Sequence, residues 1–81
     1  MRSGQVSLSA GESINLHSTH EGEEMIIPLS GHGQLEGPDI KTIPFDQGSV
    51  VYVPPRITHK VVNTGDELLV YVYVYAPMSQ D

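Results

Sequence analysis

Turn-forming sequences recur at short intervals along this chain, and they separate short segments rich in valine, isoleucine, tyrosine and threonine. Glycine, proline, asparagine and aspartate favour turns because they adopt or fix the backbone angles that turns require. No segment shows the 3.6-residue period of an amphipathic helix. The pattern is typical of an all-β sandwich or barrel. The turn sequences are Ser9-Ala10-Gly11, Glu21-Gly22, Ser30-Gly31, Gly37-Pro38-Asp39, Asp46-Gln47-Gly48, Pro54-Pro55 and Asn63-Thr64-Gly65-Asp66.

The segments between these turns predict strands near residues 4–8, 13–18, 24–29, 32–36, 40–44, 49–53, 58–63 and 67–75. In the last of them, alternate residues point to opposite faces of the strand. Neither face is polar, so we expect both to be covered, one by the barrel interior and the other by a second sheet or subunit. We interpret the tyrosines as packing between sheets or subunits rather than as ligand contacts. One face carries Leu68, Val70, Val72 and Val74, and the other carries Leu69, Tyr71, Tyr73 and Tyr75.

The length of 81 residues predicts one domain, spanning residues 1–81. A domain of this size buries only about 60% of its unfolded surface. Because a barrel that keeps a cavity has even less core, we expect a second subunit to supply buried area, as in a homodimer. The chain has no cysteine, which excludes disulfides and thiolate metal sites.

The formal net charge is −6. An acidic surface argues against binding to nucleic acid, whose phosphates require a basic surface, and against binding to anionic membranes. The N-terminal sequence MRSGQVSLSAGES lacks the apolar run of a signal peptide. No segment approaches the roughly 20 apolar residues of a membrane span. We therefore expect a soluble, cytoplasmic protein.

Three polar side chains lie within or beside predicted apolar strands: His17, Glu24 and His59. His17 shares a strand face with Thr19, and Glu24 shares one with Ile26, because alternate residues lie on one face. The three side chains can meet if their faces point into one cavity. Imidazole and carboxylate groups that converge in this way favour a metal or small-ligand pocket.

The spacing of these residues resembles the first of two motifs found in small single-domain cupins. That motif reads G, five residues, H-x-H, three or four residues, E, six residues, G. In this chain Gly11, His17, Glu24 and Gly31 stand at the required spacings. Only the second histidine departs from the pattern, since Thr19 takes its place.

The second cupin motif follows after 16 residues. It reads G, five residues, P-x-G, two residues, H, three residues, N. Gly48, Pro54, His59 and Asn63 match it, and only the second glycine departs, since Arg56 takes its place. The resemblance implies a double-stranded jelly-roll β-barrel.

The resemblance also implies that His17, Glu24 and His59 bind a divalent metal inside the barrel. His20 is an alternative fourth ligand. Its spacing to Glu24 is also permitted, although the fit to Gly11 is then lost, and a bulge could turn it inward. The donor set suits Zn, Fe, Mn or Ni and selects none of them.

Two functions follow from the resemblance. The first is a barrel that binds a divalent metal, a small polar ligand or both, without established catalysis. The second is a metal-dependent enzyme of the dioxygenase, isomerase or lyase type, in which Glu24 could act as general base if no metal is bound. We interpret Glu21, Glu23, His32 and Arg56 as solvent-facing, and Arg56 could alternatively attract a carboxylate or phosphate.

Overall fold

The computed structural model describes residues 1–14 and 16–77. Within these ranges the regular structure consists of strands. They are β1 (Arg2–Leu8), β2 (His17–Ser18), β3 (Gly22–Ser30), β4 (His32–Glu36), β5 (Ile43–Asp46), β6 (Val51–Val53), β7 (Thr58–Asn63) and β8 (Leu69–Pro77). No helix in the described ranges has the length and apolar character needed to cross a membrane.

The strands form two four-stranded sheets, and every pair is antiparallel. Sheet I has the strand order β1-β8-β3-β6, and sheet II has the order β2-β7-β4-β5. The strand order jumps along the chain in both sheets, as expected for a jelly roll. The all-β double-sheet prediction is confirmed.

The hydrophobic core lies between the two sheets. Sheet I contributes Ile26 and Leu69, which are fully buried, and sheet II contributes Leu35, Phe45 and Val61. Each fully buried aliphatic or aromatic side chain stabilises the fold by about 1.5–3 kcal/mol relative to an exposed one. Buried residues alternate with more accessible ones along β6 and β7, so these strands present one face to the interior.

Two turns require a left-handed backbone. Gly31 connects β3 to β4 with a φ of 89°, and a Cβ there would stand 2.6 Å from the carbonyl oxygen of Leu68. Arg56 adopts a φ of 62° between β6 and β7, at the position where the second motif has glycine. An L-residue in this region costs about 1–2 kcal/mol. The turn therefore keeps its glycine-like geometry although the glycine is absent.

Strand β3 contains a proline and a bulge. The pairing of β3 with β8 shifts register between Pro28 and Ser30. Strand β6 pairs only with residues 24–26, so at Pro28 strand β3 has a neighbour on one side alone. Proline is tolerated at such edge positions because it has no N–H for the ladder.

The predicted strand positions agree with the structure, but several lengths differ. The predicted strand 13–18 is reduced to β2 and an isolated bridge from Ser13 to Val62; Asn15 lies outside the described residues. Strand β1 begins at Arg2 rather than residue 4, and β5 lies at Ile43–Asp46 rather than at 40–44. The earlier start of β1 brings Arg2 into the sheet.

The outer face of sheet I is apolar along β8, whereas β1 contributes the exposed Ser3, Gln5 and Ser7 to it. It carries the half-buried Val70, Val72 and Val74 of β8, and Met25 and Tyr52 beside them are exposed. Exposed apolar area that is contiguous on one face is typical of interaction surfaces. The opposite face of β8 lies between the sheets, so only one of its two apolar faces is covered within the chain.

Candidate functional site

His17, Glu24 and His59 meet between the two sheets. His17 and His59 are direct partners in the pairing of β2 with β7 in sheet II. Their ring centroids are 4.5 Å apart. Glu24 reaches them from β3 in sheet I, so the site joins the two sheets. One ligand atom from each residue lies within 4.8 Å of the others, so the three side chains form a candidate site for a single ion.

The Glu24 carboxylate is the centre of this cluster. Its Oε1 atom lies 3.5 Å from His59 Nε2 and 3.9 Å from His17 Nε2. Two atoms that each lie about 2.1 Å from one ion are at most about 4.2 Å apart. Both distances fall inside that limit. The His17 side chain is about half exposed, at 48%, whereas the His59 side chain is fully buried.

The hydrogen bonding of His59 fixes its tautomer. His59 Nδ1 lies 3.0 Å from the carbonyl oxygen of Ile57. A carbonyl only accepts, so Nδ1 carries the proton and donates it. Nε2 is buried and makes no hydrogen bond within the described chain, yet it faces the Glu24 carboxylate. An imidazole lone pair and a carboxylate in this position need a cation between them, either a proton or a metal ion.

The pKa of His59 reflects these opposing influences. Burial alone lowers the pKa of His59, because it disfavours the charged imidazolium. The Glu24 carboxylate and the Ile57 carbonyl outweigh burial, and the pKa is raised above its ordinary value. The protein thus favours positive charge at this buried position.

An open cavity of about 250 Å³ surrounds the cluster. The tyrosines of β8 and Val6 of β1 line it from sheet I, and Val61 of β7 lines it from sheet II. Burial, and then the nearby Glu24, raise the pKa of Tyr71 to about 12. Tyr71 therefore presents a neutral phenol to the cavity at neutral pH.

The tyrosine face lies between the sheets, which was one of the alternatives predicted. It also lines the cavity, a role that the packing interpretation did not include. Two glycines make room for the rings: a Cβ at Gly4 would stand 2.8 Å from the Tyr73 ring, and one at Gly22 would overlap the Tyr75 ring. The sequence feature that indicates this role is a glycine directly opposite or beside a tyrosine on the same face of the sheet. It can be recognised only once the strand register is known.

Thr19, which replaces the second motif histidine, is buried and takes no part in the cluster. Its hydroxyl donates to the carbonyl of Pro54 at 2.7 Å and accepts from the N–H of Ile57 at 3.0 Å. Its own carbonyl accepts from the Tyr75 hydroxyl at 2.8 Å. Thr19 therefore ties the segment after His17 to the segment before His59.

His20 lines the cavity but is not one of the three clustered ligands. It is exposed and has a left-handed φ of 54°. Its backbone is fixed by a bond from its N–H to Ser18 Oγ at 2.9 Å, and its carbonyl accepts from the Arg56 N–H at 2.7 Å. The structure places His20 at the rim, beside the cluster rather than within it.

The residues interpreted as solvent-facing lie outside the cavity. His32, Glu21 and Arg56 are exposed, and His32 stands 3.9 Å from the exposed Asp46. Glu23 is half-buried on β3 and accepts a hydrogen bond from the Tyr52 hydroxyl at 2.8 Å. None of these four belongs to the three-residue cluster.

Arg2 is a cavity residue that the sequence interpretation missed. It lies opposite Tyr75 in the pairing of β1 with β8, and Tyr75 lies opposite Glu24 in the next pairing. Its guanidinium carbon stands 4.9 Å from the centre of the Tyr75 ring. The period-two pattern of Val6 and Leu8 extends back to Arg2, and this is the signal that could have placed it on the inner face.

Comparison with known proteins adds to this geometry. The profile of the cupin domain family matches residues 4–75. Glucose-6-phosphate isomerases of Pyrococcus horikoshii and Pyrococcus abyssi are 38% and 39% identical to the chain, over 66 and 64 residues. These alignments cover 75% and 73% of this chain. The chain spans about a third of these relatives, 34% and 33% of their lengths.

Solved structures show the same fold. A predicted oxalate decarboxylase from Thermotoga maritima superposes with a TM-score of 0.86 at 25% identity, covering 94% of this chain and 65% of that one. A cupin 2 conserved barrel domain protein from Salinispora arenicola gives a TM-score of 0.79 at 32% identity, covering 90% and 60% of the two chains. With both motifs, the double-sheet architecture and the matching profile in agreement, the chain belongs to the cupin domain family.

Proposed function

We propose that this protein binds one divalent metal ion through His17, Glu24 and His59, with open coordination positions that face the cavity. Imidazole nitrogens and a carboxylate oxygen suit Zn, Fe, Mn and Ni. Three protein ligands with a free position are typical of sites that also bind a small molecule. His20 at the rim completes the set only if its side chain turns inward.

One observation carries this proposal. The buried Nε2 of His59 faces the Glu24 carboxylate at 3.5 Å and makes no hydrogen bond within the described residues, while Nδ1 donates to the Ile57 carbonyl. A metal ion accepts electron pairs from both the imidazole and the carboxylate. The orientation of His59 by the Ile57 carbonyl is the support that metal-binding histidines generally have.

The ligand that shares this cavity is a small polar molecule. The volume of about 250 Å³ lies below the range of roughly 300–1,000 Å³ typical of pockets for drug-sized molecules. Its wall combines aliphatic side chains with the hydroxyl groups of Ser18 and the β8 tyrosines. These groups can hydrogen-bond the oxygens of a small polyoxygenated compound, while the aliphatic side chains pack against its carbon atoms.

Metal content tests the proposal directly. The protein is purified without a metal-affinity tag, stripped with chelator, reloaded with each candidate ion and measured by elemental analysis. We expect about one ion per chain, lost in His59→Ala and kept in His32→Ala, since the exposed His32 lies outside the cluster. A content below about 0.1 ion per chain, across all ions that suit these ligands, contradicts the proposal.

A second candidate function is isomerisation of a sugar phosphate, favoured by the relatives named glucose-6-phosphate isomerase. Aldose–ketose isomerisation moves a proton between adjacent carbons without net oxidation. A bound divalent ion would polarise the substrate carbonyl. In the metal-free protein, Glu24 is the carboxylate placed to take and return the proton. Tyr71 keeps a neutral phenol in the same cavity and can donate to a substrate oxygen.

The test of this activity is interconversion of glucose 6-phosphate and fructose 6-phosphate by the metal-loaded and the stripped protein. We expect turnover in at least one state and its loss in Glu24→Gln, which keeps the shape of the side chain and removes its charge. The matched control is Glu36→Gln, on β4 and outside the cluster. If the wild-type protein turns over no faster than Glu24→Gln, the isomerase function is contradicted. The proposal of metal binding is not affected by that result.

We also propose that the protein forms a homodimer through the outer face of sheet I. The support is the contiguous apolar surface of β8 with the exposed Met25 and Tyr52. Sedimentation at micromolar concentration tests it. We expect a dimer, and a monomer in Met25→Lys; a monomeric wild-type protein contradicts the proposal.

A further inference from the structure

Arg2 is the only arginine or lysine that lines the metal-site cavity in the described part of the chain. It is also free of carboxylate partners there, since no described ion pair within 4.0 Å includes it. A guanidinium offers five N–H donors in a planar fork and matches the oxygens of a carboxylate or phosphate. An unpaired cation on a cavity wall is therefore a receptor for an oxyanion.

Tyr75 holds this cation in place. The guanidinium of Arg2 lies against the ring, 4.9 Å from its centre. The ring itself is fixed, because its hydroxyl donates to the Thr19 carbonyl at 2.8 Å and Gly22 leaves room for its tip. Stacking of arginine on an aromatic face orients the fork while leaving its edge free to bind a ligand.

Charge in the cavity also favours an anion. The charges of Arg2 and Glu24 cancel, so a bound divalent ion leaves the cavity positive inside a protein of net charge −6. Arg2 and Glu24 lie on the strands on either side of Tyr75, so their backbones are two strand spacings, or about 10 Å, apart across the sheet. The Arg2 guanidinium and the metal ligands can therefore bind different ends of one small ligand.

We propose that the cavity takes a small anionic substrate whose carboxylate or phosphate binds Arg2, while its other oxygens face His17, Glu24 and His59. This inference rests on the proposed metal site. Arg2 is then the residue that determines specificity for a charged over a neutral substrate. Tyr75 is its positioning residue.

The experiment compares three probes by titration: glucose 6-phosphate, gluconate and neutral glucose. Each is titrated against metal-loaded and chelator-stripped protein, with metal content measured first. We expect at least one anion to bind more tightly than glucose, and Arg2→Ala to weaken that anion about tenfold without affecting glucose. Preference for glucose 6-phosphate identifies a phosphate ligand, and preference for gluconate identifies a carboxylate ligand.

The matched control is Lys41→Ala, which removes one positive charge from an exposed residue outside the cavity. Equal weakening in Lys41→Ala and Arg2→Ala shows a general charge effect and overturns the inference. The inference is also overturned if neither the metal-loaded nor the stripped protein prefers an anion over glucose. It is overturned likewise if Arg2→Ala keeps the preference for the anion. If the protein does not load metal, the metal-content measurement shows this before any sugar is added, and the result counts against the metal site. Anion binding by the wild-type protein and by Arg2→Ala is then still compared in the stripped protein.

Discussion

Replacement of Thr19 by valine should destabilise the protein far more than the same change at a neighbouring threonine. Thr19→Val keeps the shape of the side chain and removes the hydroxyl that bonds the Pro54 carbonyl and the Ile57 N–H. Two hydrogen bonds contribute about 1 kcal/mol each, and a buried donor left without a partner adds a desolvation cost of about 1–3 kcal/mol. Because Ile57 is only partly buried and Pro54 is exposed, water can replace part of the loss. We expect a decrease of about 2–3 kcal/mol in the free energy of unfolding.

That decrease is a large share of the total. At about 0.05–0.15 kcal/mol per residue, a chain of 81 residues has a free energy of unfolding of about 4–12 kcal/mol. Urea unfolding followed by far-UV circular dichroism measures the change, since the chain has no tryptophan. The control is Thr58→Val on β7, whose hydroxyl makes no hydrogen bond within the described residues. It should cost less than about 0.5 kcal/mol.

Thr19→Ser completes the comparison, because it retains the hydroxyl and loses only a methyl group. It should recover most of the stability lost in Thr19→Val. If Thr19→Val and Thr58→Val unfold at the same urea concentration, Thr19 does not join the two motif segments, and the reasoning from its hydrogen bonds is refuted.

Three further predictions concern the site and its supports. His20→Ala should change metal affinity less than about threefold, whereas His17→Ala should lower it about 100-fold, measured by competition with a chelating indicator; equal losses would make His20 a ligand. Arg56→Gly should leave stability unchanged or raise it by up to about 1 kcal/mol, because glycine relieves the left-handed backbone, and a clear loss in urea unfolding would show that the arginine side chain stabilises the turn. Gly22→Ala should cost about 1–3 kcal/mol, because its Cβ would overlap the Tyr75 ring; a wild-type thermal midpoint would contradict this packing.

The sequence predicts the fold well because its turns are local. The turn after β3 needs a residue with a left-handed backbone, and glycine adopts one without strain, so Gly31 marks this turn in the sequence. The meeting of His17, Glu24 and His59 is instead non-local, since these residues come from different sheets. Motif spacing predicted it only through resemblance to a family, because period-two alternation does not say which face of a strand points inward.

The parts that escaped prediction depend on strand register. Whether the β8 tyrosines face the cavity or a partner cannot be read from alternation, because both faces of that strand are apolar. Thr19 stands where the motif has a metal-binding histidine, so the motif does not predict its role. Its hydrogen-bond partners Pro54 and Ile57 are distant in sequence. Arg2 stands at the start of β1, where the end of a strand is least certain from sequence.

Anomalous scattering from crystals of the metal-loaded protein tests most directly whether His17, Glu24 and His59 share one metal ion. We expect one anomalous peak per chain, within bonding distance of His59 Nε2, His17 and the Glu24 carboxylate. A fully loaded protein whose peak lies elsewhere, for example beside the exposed His32 and Asp46, would contradict this expectation.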